Sequence, residues 1–282
     1  MNKKFLLPSL LTIALLQACG GGGGNDDGGA SASSVSPTAG TSEPAGGPAT
    51  PAAAASADTG SVSTPFVAGS TPRYQLTSVN GQSFGKLTPL IQAASGAMTT
   101  LSSTVLSGAS VTKDIAGDAT FAMGRWTAGT VTSSTGAQTL TGTDNVAYHY
   151  LALNAPAAFP VSGAKTCDAG VFTTPTYASG GANTNVTGAA SGSAALSFGA
   201  GGAAITGAIN VTVAGASGSA SLNGTATGVT SVAITGAYLS NGAGAAVQIG
   251  DAGTDVYIVG ASYSATLPNG ARYIGVAKFR CV

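Results

Sequence analysis

The chain has 282 residues, only 7% of them charged, and its ten basic and ten acidic side chains cancel. Soluble domains usually carry charge on about a quarter of their residues. Gly, Ala, Ser and Thr therefore take positions that Lys and Glu normally occupy, and without a net electrostatic field nucleic-acid binding is not expected.

The N-terminus is typical of an export signal. Lys3 and Lys4 precede an apolar run over residues 5–16. This run has the length of a signal-peptide core and is too short to span a bilayer as a helix.

A cysteine follows directly in the segment Leu16-Gln17-Ala18-Cys19-Gly20. This segment resembles the bacterial lipobox, although Gln17 is not the usual small residue. We therefore expect residues 1–18 to be a lipoprotein signal peptide and Cys19 to carry the lipid. An ordinary secretory signal with a chance Cys is the alternative. By the same resemblance, Gly20 in place of Asp points to the bacterial outer membrane, where several acyl chains give lasting attachment.

Residues 19–72 continue from this Cys as a Gly run and then Ala, Ser, Thr and Pro, with Phe66 as the only aromatic residue. Such a composition buries too little apolar surface to fold. We expect a disordered tether with an end-to-end distance of about 40 Å, which would lift the following domain clear of the lipid surface.

Residues 73–282 form the predicted folded domain, and an apolar stripe opens it. Thr88 and Pro89 suit an N-cap and a first helical position. The stripe recurs at spacings of three and four, at Leu87, Leu90, Ile91, Ala94, Met98, Leu101 and Val105. This pattern predicts one amphipathic helix that packs against the rest of the domain.

After Gly108 the apolar period changes to two, which predicts strands separated by Gly, Asn, Ser and Pro clusters. Ten candidate strands lie near residues 120–132, 144–154, 162–172, 191–199, 204–214, 217–226, 231–240, 245–250, 255–267 and 271–281. We expect an all-β domain, an antiparallel eight-stranded barrel, because low surface charge makes open sheet edges prone to association.

Two short segments carry a family resemblance. Residues 159–166, which contain Pro160 and Gly163, resemble the segment that opens a barrel strand in transferrin-binding protein B, and residues 269–278 are similar to the closing hairpin of factor H-binding protein. Both belong to a group of surface lipoproteins with eight-stranded barrels and a poly-Gly tract after the lipidated Cys. The resemblance implies fold and location. It places no ligand-contact residue here, and Cys167 stands where the family strand usually has an aromatic residue.

Two cysteines remain beside Cys19. In an oxidising compartment Cys167 and Cys281 form one possible pair, which predicts a disulfide. A cysteine nucleophile or metal ligand is the alternative, but neither residue lies in a ligand-like cluster.

Catalytic motifs are missing from the sequence, and we expect no enzyme. His149 is the only histidine and shares a strand face with Leu151 and Leu153, as a hydrogen-bonded core residue would. No cofactor is predicted, although haem ligation by His149 with Tyr148 or Tyr150 is an alternative.

Carboxylates also offer little sign of a metal site. The pairs Asp114 with Asp118 and Asp251 with Asp255 each enclose a Gly. Each pair supplies too few oxygen ligands for calcium and is better explained as turn-forming Asp.

The closing hairpin provides the candidate binding residues. On residues 271–281, the cations Arg272, Lys278 and Arg280 share a face with Ile274 and Val276. We expect this face to be exposed, either as a partner interface or as a charged face that keeps the sheet soluble. In the second case, binding would lie in the loops of residues 173–190.

The predicted function is a lipoprotein anchored in the outer membrane, exposed at the cell surface, whose barrel binds an extracellular protein or a small ligand, for example in iron or haem acquisition or in host interaction. The alternative is a structural or adhesive surface protein without a small-molecule ligand.

Overall fold

The computed structural model describes residues 57–143, 145–181 and 186–282, and these residues form three β-sheets. They contain one short 3-10 helix, Tyr238–Ser240, and no α-helix. The all-β prediction is therefore confirmed.

Nine strands from the first half of the domain form the N-terminal sheet. They are β1 Gly60–Val62, β2 Pro72–Ser78, β3 Gly81–Lys86, β4 Leu90–Gln92, β5 Met98–Leu101, β6 Thr104–Asp118, β7 Phe121–Ser133, β8 Gly136–Thr141 and β9 Tyr148–Asn154. The main path is β3-β2-β9-β7-β6-β5-β4; β8 pairs with β7, and β1 is parallel to β6.

Side-chain alternation on β9 gives this sheet two apolar faces. Tyr148, Tyr150 and Ala152 point into the concave face and pack around the fully buried Trp126. His149, Leu151 and Leu153 point to the opposite face. The sheet thus curls into an antiparallel half-barrel and leaves its outer face to pack against another sheet.

The sequence predicted that the folded part begins at residue 73, but in the structure it begins earlier. Asp58 accepts a hydrogen bond from the Thr112 backbone at 2.7 Å, and β1 adds to the N-terminal sheet. Phe66 is buried in the concave core. The single aromatic residue of the predicted tether is therefore a core residue, and the tether prediction is wrong for the residues from Asp58 onward.

The predicted helix over residues 87–105 is also wrong, because β4, β5 and the start of β6 occupy this stretch. Gly96 and Ser102 have φ angles of 89° and 56°, which end the strands in turns. Leu87, which follows β3, is buried in the concave core together with Met98 and Leu101, which both belong to β5. Turns between short strands, and not one continuous helix, bring these residues together.

The second half of the domain supplies two further sheets. Its strands are β10 Gly163–Thr166, β11 Val171–Phe172, β12 Thr176–Ser179, β13 Ala189–Gly199, β14 Gly202–Val213, β15 Ala216–Ser221, β16 Gly224–Ala226, β17 Ala233–Gly236, β18 Gly244–Asp251, β19 Tyr257–Thr266 and β20 Arg272–Cys281. The middle sheet has the order β10-β13-β14-β15, with β16 also on β14, and the C-terminal sheet has the order β11-β20-β19-β18-β17, with β12 also on β20.

A disulfide joins the middle and C-terminal sheets. Cys167 and Cys281 are linked with an S–S distance of 2.00 Å, as predicted from the cysteine count. Beside the disulfide, Thr166 and Val282 exchange two backbone hydrogen bonds of 2.9 and 3.1 Å. Apolar side chains of both sheets, including Ile209, form one shared core.

The N-terminal sheet packs its outer face against the C-terminal sheet. Leu151 and Leu153 of β9 contact a cluster that contains Ile258 and Val276. A Cβ atom at Gly260 would lie 2.6 Å from Leu151 Cδ2, so a larger residue there would require the leucine side chains of β9 to shift. This face-to-face contact covers the strand face on which the sequence placed the candidate binding residues.

Candidate functional site

Three turns of the N-terminal half-barrel enclose a cleft of about 150 Å³ at one end of its concave face. They are the β2–β3 turn, the β5–β6 turn and the β7–β8 turn. The cleft is lined by Leu76, Ser78, Asn80, Gly81, Gln82, Ser83, Ser103, Thr104, Ser133, Ser134, Thr135 and Tyr148.

The cleft has an apolar floor and a polar, uncharged rim. Leu76 and Tyr148, which form the floor, are 4% and 8% exposed and belong to the concave core. Seven of the twelve lining residues are Ser or Thr, and none is charged. The site therefore offers hydroxyl groups, which both donate and accept hydrogen bonds, above a small apolar surface.

Hydrogen bonds inside the protein fix part of this rim. Tyr148 Oη donates to Gln138 Oε1 at 2.7 Å, and Asn80 Nδ2 donates to the same oxygen at 2.6 Å. Tyr74 Oη and Ser83 Oγ lie 2.7 Å apart. These bonds connect the β2–β3 turn to β8 and β9, so the walls of the cleft are held in place without a ligand.

Other rim hydroxyls remain available to a ligand. Within the part of the chain that the structure describes, no hydrogen bond involves the side chain of Ser103, Thr104 or Ser134. Thr104 is only 5% exposed. Its hydroxyl is not among the fully buried polar atoms without a partner, so it can donate and accept hydrogen bonds with a molecule in the cleft.

A second cleft, of about 220 Å³, lies beside the irregular pairing of β6 and β7. Its walls include Lys113, Thr127 and Thr143. It has fewer converging hydroxyls than the first cleft, and the first is therefore the better candidate for a binding site.

A buried polar cluster lies between the N-terminal and C-terminal sheets. The two ring nitrogens of His149, Nδ1 and Nε2, lie 2.8 and 2.7 Å from the hydroxyls of Thr173 and Thr176. Both nitrogens are thus engaged within the protein, and Tyr150 lies on the opposite face of β9. Tyr148 lies on that opposite face as well, so this arrangement does not support haem ligation by His149 with either tyrosine.

Burial lowers the pKa of His149 well below its usual value, and the charge of Arg125 lowers it further. The neutral form is therefore the folded form, whereas the unfolded chain takes up a proton below about pH 6.5. Stability that is present above pH 6.5 is lost as the pH falls, because only the unfolded state gains the proton.

We expect the free energy of unfolding to fall by about 1.4 kcal/mol between pH 7.5 and pH 5.5 because of His149. Urea unfolding at the two pH values measures this change. His149→Gln is the control, since it has a hydrogen-bonding side chain that does not titrate, and its stability should change much less over the same range. An equal pH dependence in both proteins would contradict the assignment to His149.

Asp114 joins the two sheets at the edge of the same cluster. It lies at an irregularity of β6 with a φ angle of 57°, a conformation that Asp tolerates. Its Oδ2 atom accepts hydrogen bonds from Arg125 Nε at 2.9 Å and from the Thr174 backbone at 2.8 Å. One carboxylate thus neutralises a largely buried cation and holds the loop before β12.

Asp114→Ala is expected to lower the free energy of unfolding by about 2 to 3 kcal/mol, because it leaves Arg125 and the Thr174 amide without their acceptor. Chemical denaturation at pH 7.5 measures the loss. Asp118→Ala is a matched control on the same strand, since the hydrogen bonds of the Asp118 side chain within the described residues go to the nearby Thr120. Equal losses in the two variants would contradict the role assigned to Asp114.

The structure places the three candidate binding residues of β20 at the contact between sheets. Arg272 and Lys278 are 5% and 6% exposed, so the predicted exposure of this face is wrong. Arg272 donates to Ser179 Oγ at 3.0 Å, and Lys278 pairs with Asp168 at 3.2 Å. Arg280 Nη2 donates to the Ala252 carbonyl at 3.4 Å.

The β20 face can be buried because a mixture of cations and aliphatic residues suits any protein interface, including one between two sheets of the same chain. The cations of β20 each find a partner at the edges of the contact, while Ile274 and Val276 are fully buried.

Other predicted site residues lie elsewhere. Cys19 is outside the described residues. Of the loops over residues 173–190, Thr173 and Thr176 are buried against His149, and residues 182–185 are outside the described part. Asp118 and Asp251 accept hydrogen bonds within their own turns, as turn-forming Asp does.

The cleft itself was missed by the sequence analysis. Pairs of small polar residues at 102–103 and 133–134 mark two turns, but nothing local shows that these turns converge.

Comparison with known proteins identifies no relative: no protein family, curated protein or solved structure matches the chain. No helix in the described ranges has the length and apolarity to cross a membrane. Nor do the described residues contain a group of three or more His, Cys, Asp or Glu side chains that would hold a metal ion.

Proposed function

We propose that the chain is a lipid-anchored lipoprotein of the bacterial outer membrane that exposes its β domain at the cell surface to bind an extracellular protein or small ligand. The observation that carries the proposal is the order of features along the chain. A lipobox-like segment ending at Cys19 comes first, then a Gly/Ala/Ser/Pro-rich segment, and then an all-β unit closed by a disulfide.

We also propose that the second half of the domain is an eight-stranded barrel, as in the transferrin-binding protein B-like lipoproteins that the sequence resembles. Four strands of the middle sheet, β15-β14-β13-β10, meet four of the C-terminal sheet, β20-β19-β18-β17, at the Cys167–Cys281 disulfide. At the other end of this path, the Thr235 hydroxyl of β17 donates to the Ser221 carbonyl of β15. Contacts at both ends of this eight-strand path support its closure into a barrel.

Binding fits the domain better than catalysis. The buried His149, the natural candidate for acid–base chemistry, has both nitrogens bonded to threonines between two sheets and faces no cleft. The accessible cleft has only uncharged side chains, which suit recognition.

Affinity capture tests the binding role. The full-length protein, purified in detergent and immobilised, is incubated with fluids from the organism's surroundings, and retained molecules are identified by mass spectrometry. The control is the same protein unfolded after reduction and alkylation of its disulfide. We expect molecules retained by the folded protein alone; identical retention by both would contradict specific binding.

A structural or adhesive role is the second candidate, and the outer face of the middle sheet favours it. In the register of β13, β14 and β15, Ser191 lies beside Asn210 and Ser219, and all three are exposed and uncharged. Such a face permits close contact between copies. Thioflavin-positive fibres formed by the folded protein would favour this role over ligand binding.

A further inference from the structure

We propose that the cleft between the β2–β3, β5–β6 and β7–β8 turns binds one ring of a neutral carbohydrate. This inference rests on the proposed binding function and names the site and the ligand class. It concerns the first cleft, which Thr104, Ser134 and Tyr148 help to line.

The absence of charge from the cleft walls decides the charge of the ligand. All twelve lining residues are uncharged. A sulfate, carboxylate or ammonium group that entered the cleft would lose hydration and meet no opposite charge, which is costly. A neutral ligand avoids this cost.

The pattern of hydroxyls decides the ligand's chemistry. Ser and Thr side chains from three separate turns converge on one small volume, and each hydroxyl can donate and accept. Ser103, Thr104 and Ser134 have no side-chain hydrogen bond within the described part of the chain. A ligand rich in hydroxyl groups is the natural complement, because it also offers a donor and an acceptor at each group.

The apolar floor and the small volume of the cleft restrict the class of ligand further. Leu76 and Tyr148 provide an apolar patch below the hydroxyl rim, and a sugar ring has a C–H face that packs on such a surface. The volume of about 150 Å³ is below the roughly 300 Å³ at which pockets begin to enclose whole drug-sized ligands. We infer that one ring enters and the rest of the glycan remains in solvent.

The walls are already organised for this ligand. Gln138 Oε1 accepts from both Tyr148 and Asn80, which ties two of the lining residues together through β8. Binding therefore does not have to pay for ordering these side chains, and weak individual hydrogen bonds can contribute to affinity.

Thr104→Val is the most direct variant. It removes the hydroxyl at nearly constant volume, and because that hydroxyl has no partner in the described part of the protein, stability should not fall. Thr100→Val is a matched control on the neighbouring β5, since Thr100 is equally buried, at 5% exposure, and does not line the cleft. Ser134→Trp is a second variant that fills the mouth from an exposed turn position.

The test uses the full-length protein in detergent on an array of neutral oligosaccharides ending in hexose or N-acetylhexosamine, with sialylated and sulfated glycans for comparison. Titration calorimetry with the methyl glycosides of the best array ligands then gives affinities. We expect neutral glycans to bind, Thr104→Val to weaken binding about three- to tenfold, Ser134→Trp to abolish it, and Thr100→Val to leave it unchanged.

Three results would overturn the inference: no binding of neutral glycans, binding of acidic glycans alone, or neutral binding that Ser134→Trp leaves intact. Each can occur while the protein is still membrane-anchored, exposed and able to retain another ligand in affinity capture. Failure of the cleft assignment is thus distinguishable from failure of the proposed function. Melting curves of all variants, expected to match the wild type, show that lost binding is not lost folding.

Discussion

Replacing Cys19 with serine is expected to remove the protein from the membrane fraction or to leave it as an unprocessed precursor. In the proposed lipoprotein, the Cys19 thiol is the attachment point of the lipid, and serine has no thiol. Each buried CH₂ of an acyl chain contributes about 0.8 kcal/mol to membrane attachment, so the loss of several chains changes the partition by orders of magnitude. Cell fractionation with metabolic palmitate labelling measures both consequences.

Cys167→Ser is the matched control for this experiment, because it changes a cysteine of the folded domain and leaves the N-terminal segment intact. It should remain lipidated and membrane-bound. Unchanged fractionation of Cys19→Ser together with unchanged lipid labelling would contradict the anchor assignment.

Loss of the Cys167–Cys281 disulfide is expected to produce the largest change in stability. The two residues are 114 positions apart. Closing a loop of this length stabilises a fold by roughly 4 to 5 kcal/mol in the chain-entropy description. For a domain of this size such a loss lowers the melting temperature by roughly 10 to 15 °C. Scanning calorimetry of Cys167→Ala measures it.

Cys167 is the better position to change, because Cys281 is fully buried and its removal would also leave a cavity. Adding a reducing agent to the wild type should give the same decrease and should not affect Cys167→Ala. Free thiols at both positions in the wild-type protein from its native compartment, or equal melting temperatures with and without reductant, would contradict the prediction.

The longer strands of the second half, β13, β14, β18, β19 and β20, were predictable because their local pattern agrees with the fold, whereas β12 was missed and the candidate strand 231–240 ends in the 3-10 helix. Tyr273, Ala277 and Phe279 point into the shared core, and the intervening residues of β20 point to the other face, as the period of two requires. The turn at residues 268–270 also follows from its Pro-Asn-Gly composition.

What the sequence does not reveal is which faces meet. The charge of Arg272 and Lys278 suggests a solvent-facing strand face, but the N-terminal sheet covers it. Their partners are Ser179 of the adjacent β12 and Asp168 after β10, both distant in sequence. Burial of a polar strand face depends on tertiary packing, which period and composition do not determine.

The dependence on tertiary packing also explains why the sequence predicted a helix over residues 87–105 and why it did not predict the cleft. Leu87 and Leu101 share one core, but Leu87 lies between β3 and β4 and Leu101 ends β5, so their helix-like spacing spans two turns and no helix. The cleft hydroxyls of Ser78 at the end of β2, Thr104 at the start of β6 and Ser134 in the β7–β8 turn are distant in sequence and come together only when the half-barrel curls.

Limited proteolysis of intact cells tests whether the proposed lipoprotein exposes its β domain at the cell surface. The segment before Asp58 is rich in Gly, Ala, Ser and Pro, a composition that proteinase K cuts readily, so we expect cleavage there and release of a fragment that contains the linked Cys167 and Cys281. A periplasmic protein that stays intact serves as the control for cell integrity. Release of this fragment from intact cells is the predicted result; full protection until the outer membrane is permeabilised would contradict a surface-exposed lipoprotein.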